Sequence, residues 1–175
     1  MTAPSPAVRV GPEATRAAVH IRVEGIPAPQ GSHRAFIVGK PGSQRAVIVN
    51  DSPKTRPWKD AVRDAARLAL LDHPGPWTPI SGAVEVVLTC WLPRPKSHYG
   101  TGRNTDRLKD SSPDYPTVKP DCDKLLRAAL DSLGEAGVWT DGAQVVEAHS
   151  AKRYAERYPH APMPVGAAIT VRPVR

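Results

Sequence analysis

From residue 119 to 146 the chain reads KPDCDKLLRAALDSLGEAGVWTDGAQVV. Asp121 and Asp123 stand two apart where a helical pattern begins, Asp131 falls further along it, and Asp141 follows a glycine-bearing turn. Carboxylates are hard oxygen donors. Mg²⁺ is usually held by a few of them together with water and a substrate phosphate. An ion so held activates water and neutralises charge on a scissile phosphate. The same residues also have a plain helical rationale. Asp is a favoured N-cap, worth about 1 kcal/mol. Asp123 in the first turn complements the helix dipole. Asp123, Arg127 and Asp131 are four apart and form an i, i+4 charge ladder. Asp-x-Asp by itself does not separate the two readings. The longer order is more specific: Asp-x-Asp, apolar helix, glycine turn, Trp, Asp, then a β-rich run.

The chain that gathers these acids is basic, with 24 Lys plus Arg against 17 Asp plus Glu and a net charge of +7. That balance points to an anionic partner, nucleic acid first. Lys119, Lys152 and Arg153 flank the acidic segment and are candidate phosphate contacts. A loop over 93–118 carries Arg94, Lys96, Arg103, Arg107 and Lys109, with Tyr99 and Tyr115 interleaved. It is longer than compact domains usually tolerate, and reads either as a disordered insertion or as a mobile arm on a polyanion. Lys59, Arg63 and Arg67 recur every four residues on a predicted helix and face either phosphate or solvent.

Other chemistries find little support. The six histidines lack HExxH-type spacing, and His149 reads as structural. Gly25, Gly31, Gly39 and Gly42 do not compose a P-loop. Cys90 and Cys122 lack metal-type spacing and suit a reducing cytoplasm. Cys122 reads as a small buried filler. No run of about eighteen apolar residues is present, so no membrane span is expected. The N-terminus lacks the apolar core of a signal peptide. The expectation is a soluble, cytoplasmic protein.

The elements that must position the acids are legible from periodicity. Residues 1–16 read as a disordered tail, and 17–175 as one domain. Alternation predicts strands over 19–23 and 84–92, with further strands over 144–152 and 165–172. Two short β-rich runs, 35–38 and 45–49, predict a hairpin. A helix begins with Thr55 as cap and Pro57 in its first turn, burying Trp58, Ala61, Val62, Ala65, Ala66 and Ala69. A second helix over 122–133 buries Leu125, Leu126, Ala129, Leu130 and Leu133. The order predicts an α+β domain, a mixed or antiparallel sheet covered by two main helices.

The sequence resembles the RusA-type Holliday-junction endodeoxyribonucleases. KPDCDKLLRAALDSL, GVWTDGAQVVE and the AKRY at 151–154 carry the resemblance, with PAPQGSHRAFIV and RPWKDAV upstream. It spans 17–175 and is most specific over 119–154. The resemblance implies a small α+β homodimer that binds four-way DNA junctions and makes paired nicks with Mg²⁺, or Mn²⁺ as the alternative. By it, Asp121 and Asp123 match the family's metal-binding pair. Arg127 stands where the family commonly has Lys. Arg keeps the charge but is a planar fork, suited to clamping phosphate and less to moving a proton. The family's third ligand is the second of two adjacent aspartates, and here that position is Gly142, after Asp141. Asp141 is the favoured substitute and Glu147 the alternative. A third outcome is a non-catalytic junction-binding protein with a degraded metal site.

Overall fold

The structure, a computed structural model, describes residues 18–31, 33–40, 42–50, 53–155 and 164–174. The elements in chain order are β1 (Val19–Glu24), β2 (His33–Val38), β3 (Arg45–Asn50), α1 (Thr55–Leu71), β4 (Val84–Pro93), α2 (Cys122–Glu135), β5 (Val145–Ala155) and β6 (Gly166–Pro173). β2 and β3 form the expected hairpin, a two-stranded sheet of their own. The other four strands form one mixed sheet in the order β1-β6-β4-β5. β6 runs antiparallel to both β1 and β4, whereas β4 and β5 are parallel. A parallel pair needs a crossover connection, and α2 lies within it. The fold is therefore the expected α+β class.

Alternation decides which face of the sheet is covered. Val84, Val86, Leu88, Cys90 and Leu92 of β4 are buried, as are Val19, Ile21 and Val23 of β1 and Ala167, Ile169 and Val171 of β6. α1 joins this core through Trp58, Val62, Ala66 and Leu70, and α2 through Leu125, Ala128, Ala129 and Leu133. The intervening residues Glu85, Val87, Thr89 and Trp91 lie on the opposite face, which neither helix covers.

Two local expectations need correction. Thr55 does not cap α1. The N-cap position is Lys54, with no side-chain cap bond, and the buried Thr55 hydroxyl donates to Pro29 O at 2.8 Å. Thr55 fastens α1 to the segment after β1. The loop over 93–118 is neither an insertion without structure nor a free arm. It folds on itself through 3-10 turns at Lys96–His98 and Gly102–Asn104 and a bridge between Tyr99 and Leu108. Gly100 N donates to Arg107 O, Lys109 N to His98 O and Arg94 Nη1 to Pro113 O. Tyr99 and Pro116 are buried beneath it. The tail over 1–16 lies outside the described residues.

Leu133 is fully buried where α2 meets the core. Leu133→Ala should cost about 2–5 kcal/mol of unfolding free energy. Urea denaturation should show a lower midpoint at unchanged m-value.

Candidate active site at the start of the second helix

The local sequence explains why α2 starts where it does. Pro120 precedes it, Asp121 takes the extended N-cap conformation, and Leu125 N donates to Asp121 O to open the helical ladder. Yet the Asp121 carboxylate makes no capping bond. Its Oδ2 lies 3.4 Å from Lys124 Nζ at the surface. Asp123 is exposed in the first turn, and Arg127 is exposed one turn later. Among the described residues, neither forms an ion pair.

The charge ladder is broken further along. Asp131 lies 3.7 Å from Lys59 Nζ of α1, and Glu135 is 3.1 Å from the same nitrogen. Arg63 reaches Asp60 at 2.8 Å and Glu135 at 3.8 Å, and Arg67 reaches Asp64 at 3.8 Å. The basic stripe of α1 is thus matched to carboxylates of α1 and α2. Such exposed pairs add little stability, but they assign the charges. The far end of α2 is neutralised by α1, whereas at its mouth Asp121 meets only Lys124 of the same helix and Asp123 is unpaired.

A cleft of about 480 Å³ runs along α2, lined by Asp123, Arg127, Asp131, Glu135, Trp139 and Gly142, among others. The structure thus brings Asp123, Arg127 and Gly142 to one surface. Gly142 has nothing within 4 Å of where a Cβ would stand, and its backbone is not in the left-handed region. A side chain there would meet open space in the cleft.

Asp141 has a second task. Its Oδ1 accepts from Ala143 N at 2.7 Å, while Gln144 Oε1 accepts from Asp141 N at 2.7 Å. This is a reciprocal capping box around the 3-10 turn Gly142–Gln144. Gln144 also accepts from the Thr140 hydroxyl, and its Nε2 donates to Ile80 O and Gly82 O. Sequence reasoning missed Gln144. The signal was present, since Asp-x-x-Gln is a capping-box pattern.

Glu147 goes elsewhere. Val84 pairs with Val145 but Glu85 pairs with Glu147, so Val146 is an extra residue in the register. A bulge of this kind reverses side-chain parity. Val145 packs toward the core and Glu147 stands with Glu85 on the uncovered face. There Glu85, Glu147 and His149 have ligand atoms within 4.8 Å of one another. Arg172 Nε already holds Glu85 at 3.1 Å. Among the described residues Asp121, Asp123 and Asp141 form no comparably tight triad.

The basic residues divide by what they touch. Lys152 Nζ donates to Val118 O at 2.7 Å and Pro120 O at 2.9 Å, and Ser150 Oγ donates to Cys122 O at 3.2 Å. Lys152 is thereby a clamp on the aspartate segment. Arg94 lies over the Tyr154 ring and Arg153 over the Tyr115 ring, at 4.2 and 4.9 Å from the centroids. Lys96, Arg103, Arg107 and Lys119 are exposed. Cys122 is half-buried rather than fully buried. Burial pushes the Cys90 thiol up to about 12, with Cys122 a lesser cause, so Cys90 is an inert packing group.

The family model described as Endodeoxyribonuclease RusA matches residues 26–163 of the chain. No curated relative matches it.

Gln144→Ala should loosen the turn that carries Asp141 and Gly142. Loss of its bonds to Ile80 O, Gly82 O and Asp141 N should cost about 1–3 kcal/mol. Thermal denaturation checks this, and Gln144→Glu should recover the bonds from Asp141 N and the Thr140 hydroxyl but not those to Ile80 O and Gly82 O.

Proposed function

The chain belongs to the RusA endodeoxyribonuclease family, and on that premise we propose that it resolves four-way DNA junctions by metal-dependent paired nicks. The observation that carries this is the state of α2's first turn. Asp121 occupies a capping position without capping, and Asp123 is unpaired beside it, in a chain of net charge +7. Two carboxylates at a basic surface, one unpaired and one held only by an exposed ion pair to Lys124, have the chemistry to hold a hard cation, since Mg²⁺ sites use one or two carboxylates and leave the remaining positions to water and phosphate. Asp121 and Asp123 would hold Mg²⁺, or Mn²⁺ in its place. Asp141 would be the third carboxylate, through Oδ2, since Oδ1 accepts from the turn. When bound, the cation supplies Lewis-acid polarisation and a more acidic water. Arg127 steadies the phosphate oxygens as a planar fork. Lys119 contacts the flanking backbone, with Lys96, Arg103 and Arg107 further out. A symmetric homodimer would present one site to each of two opposed strands.

One observation favours a second reading. The position where the family carries its third aspartate is Gly142, open to the cleft and empty of side chain. On that reading the protein binds junctions without cutting them.

Incubation of a labelled four-way junction with and without Mg²⁺ separates the two. Metal-dependent paired products support the nuclease, whereas a mobility shift without product supports the binder. In the first case Asp123→Asn should slow cleavage by about a hundredfold or more, some 2.7 kcal/mol of barrier, and keep junction binding. An Asp123→Asn protein that cuts as fast as its parent removes the assignment. Gly142→Asp should raise metal affinity measured by calorimetry, because the site already has room for the side chain.

The two lysines next to the site should differ in salt dependence. Lys119→Ala should reduce the slope of log affinity against log salt by roughly one. Lys152→Met should leave that slope unchanged and lower stability, because its ammonium holds two carbonyls.

A further inference from the structure

A larger cavity, of about 690 Å³, lies beside the same aspartates. It sits where the two parallel strands end, against Leu92 and Pro93 of β4 and Tyr154 of β5. The helix connecting those strands begins at its edge, with Lys119 and Pro120 in the lining and Asp121 the next residue. Crevices beyond the carboxyl ends of parallel strands are where open sheets place their ligands. Both walls are fastened to the start of α2. On one side Gln30 N donates to Lys124 O at 2.9 Å. On the other, Lys152 holds Val118 O and Pro120 O.

The lining has three chemical features. It is mostly apolar, built from prolines with Trp58, Leu92 and Tyr154. It includes two ammonium groups, Lys54 and Lys119, against one carboxylate, Glu24. It also includes Trp58, 3% exposed, whose indole N–H has no hydrogen-bond partner. That nitrogen is itself enclosed, so what Trp58 offers the pocket is apolar ring surface.

We propose that this pocket seats a nucleobase drawn out of its stack, from the nucleotide adjoining the phosphate held at Asp121 and Asp123. This inference rests on the nuclease reading above. A flat heterocycle suits an apolar slot beside the candidate metal site, and flanking phosphates suit Lys54 and Lys119. Unstacking costs least where stacking is already interrupted, as at a branch point. The pocket would therefore favour branched over linear DNA. Apolar stacking is sequence-tolerant, so it would do so without reading sequence.

The test uses the full chain carrying Asp123→Asn and a four-way junction with 2-aminopurine at the crossover, whose fluorescence rises on unstacking. Ala61 and Ile26 both line the pocket. Ala61→Phe fills it. Ile26→Gln changes a side chain 64% exposed, which keeps the test intact if the first variant misfolds. Fluorescence should rise on junction binding and stay flat with linear duplex. Each pocket variant should abolish the rise and weaken junction binding by about fivefold or more, the worth of one stacked base, while duplex affinity holds. A mobility shift with no rise overturns the proposal, as does a rise that survives in both variants. So does a pocket variant that lowers the sedimenting mass, which would make a second copy the occupant. No shift with any junction defeats the nuclease reading and this inference together.

Discussion

The position of the carboxylates depends on one clamp. Lys152 reaches from β5 to two carbonyls of the segment before α2, Val118 O and Pro120 O. An ammonium donating to carbonyls is a charge-assisted bond, about twice as strong as a neutral one. Ser150 adds a bond to Cys122 O, and Gln30 N ties Lys124 O to the segment after β1. These bonds hold the first turn of α2 from both sides. α2 is also pressed onto the sheet by Leu125, Ala129 and Leu133. Asp121 and Asp123 therefore project from backbone that has little freedom to move. That is the condition for holding an ion in fixed geometry.

The distribution of charge follows from how α1 meets α2. Lys59 and Arg63 turn toward Asp131 and Glu135. Had they faced solvent, all the acids of α2 would share one uncompensated field. Instead the field is confined to the mouth of the helix, where the dipole already favours negative charge. Both cavities meet that spot. The cleft along α2 contains Asp123, and the pocket at the strand ends stops at Pro120.

Much of this was legible in the sequence, and the reasons are physical. Strict alternation in β1 and β4 gave their buried faces, because one-sided burial leaves a period of two. The apolar arcs of both helices were equally plain. What escaped depended on contacts between distant residues. Thr55 looks like a cap from its neighbours, and only the position of Pro29 turns its hydroxyl outward from the helix. Lys152 looks like a phosphate contact until Pro120 O appears beside it. Glu147 looks able to reach the aspartates until the extra residue at Val146 sends it to the uncovered face. The basic loop over 93–118 has no periodicity, yet it is ordered by cross-loop bonds that no local pattern announces. Asp121 and Asp123 were legible as a pair. That Asp121 does not cap and Asp123 does not pair was not.

Gly142 draws these strands together. No atom lies within 4 Å of where a Cβ at position 142 would stand, and the turn is nonetheless well formed. The turn keeps its shape because Asp141 and Gln144 form the capping box without help from position 142. The box is anchored in turn by Gln144 to Ile80 O and Gly82 O. The turn is thus held without any side chain at position 142, with Asp141 serving both the capping box and the proposed ligand set. On the proposed reading, a change at 142 would alter how firmly an ion is gripped while the backbone clamps from Lys152, Ser150 and Gln30 keep the helix mouth in place.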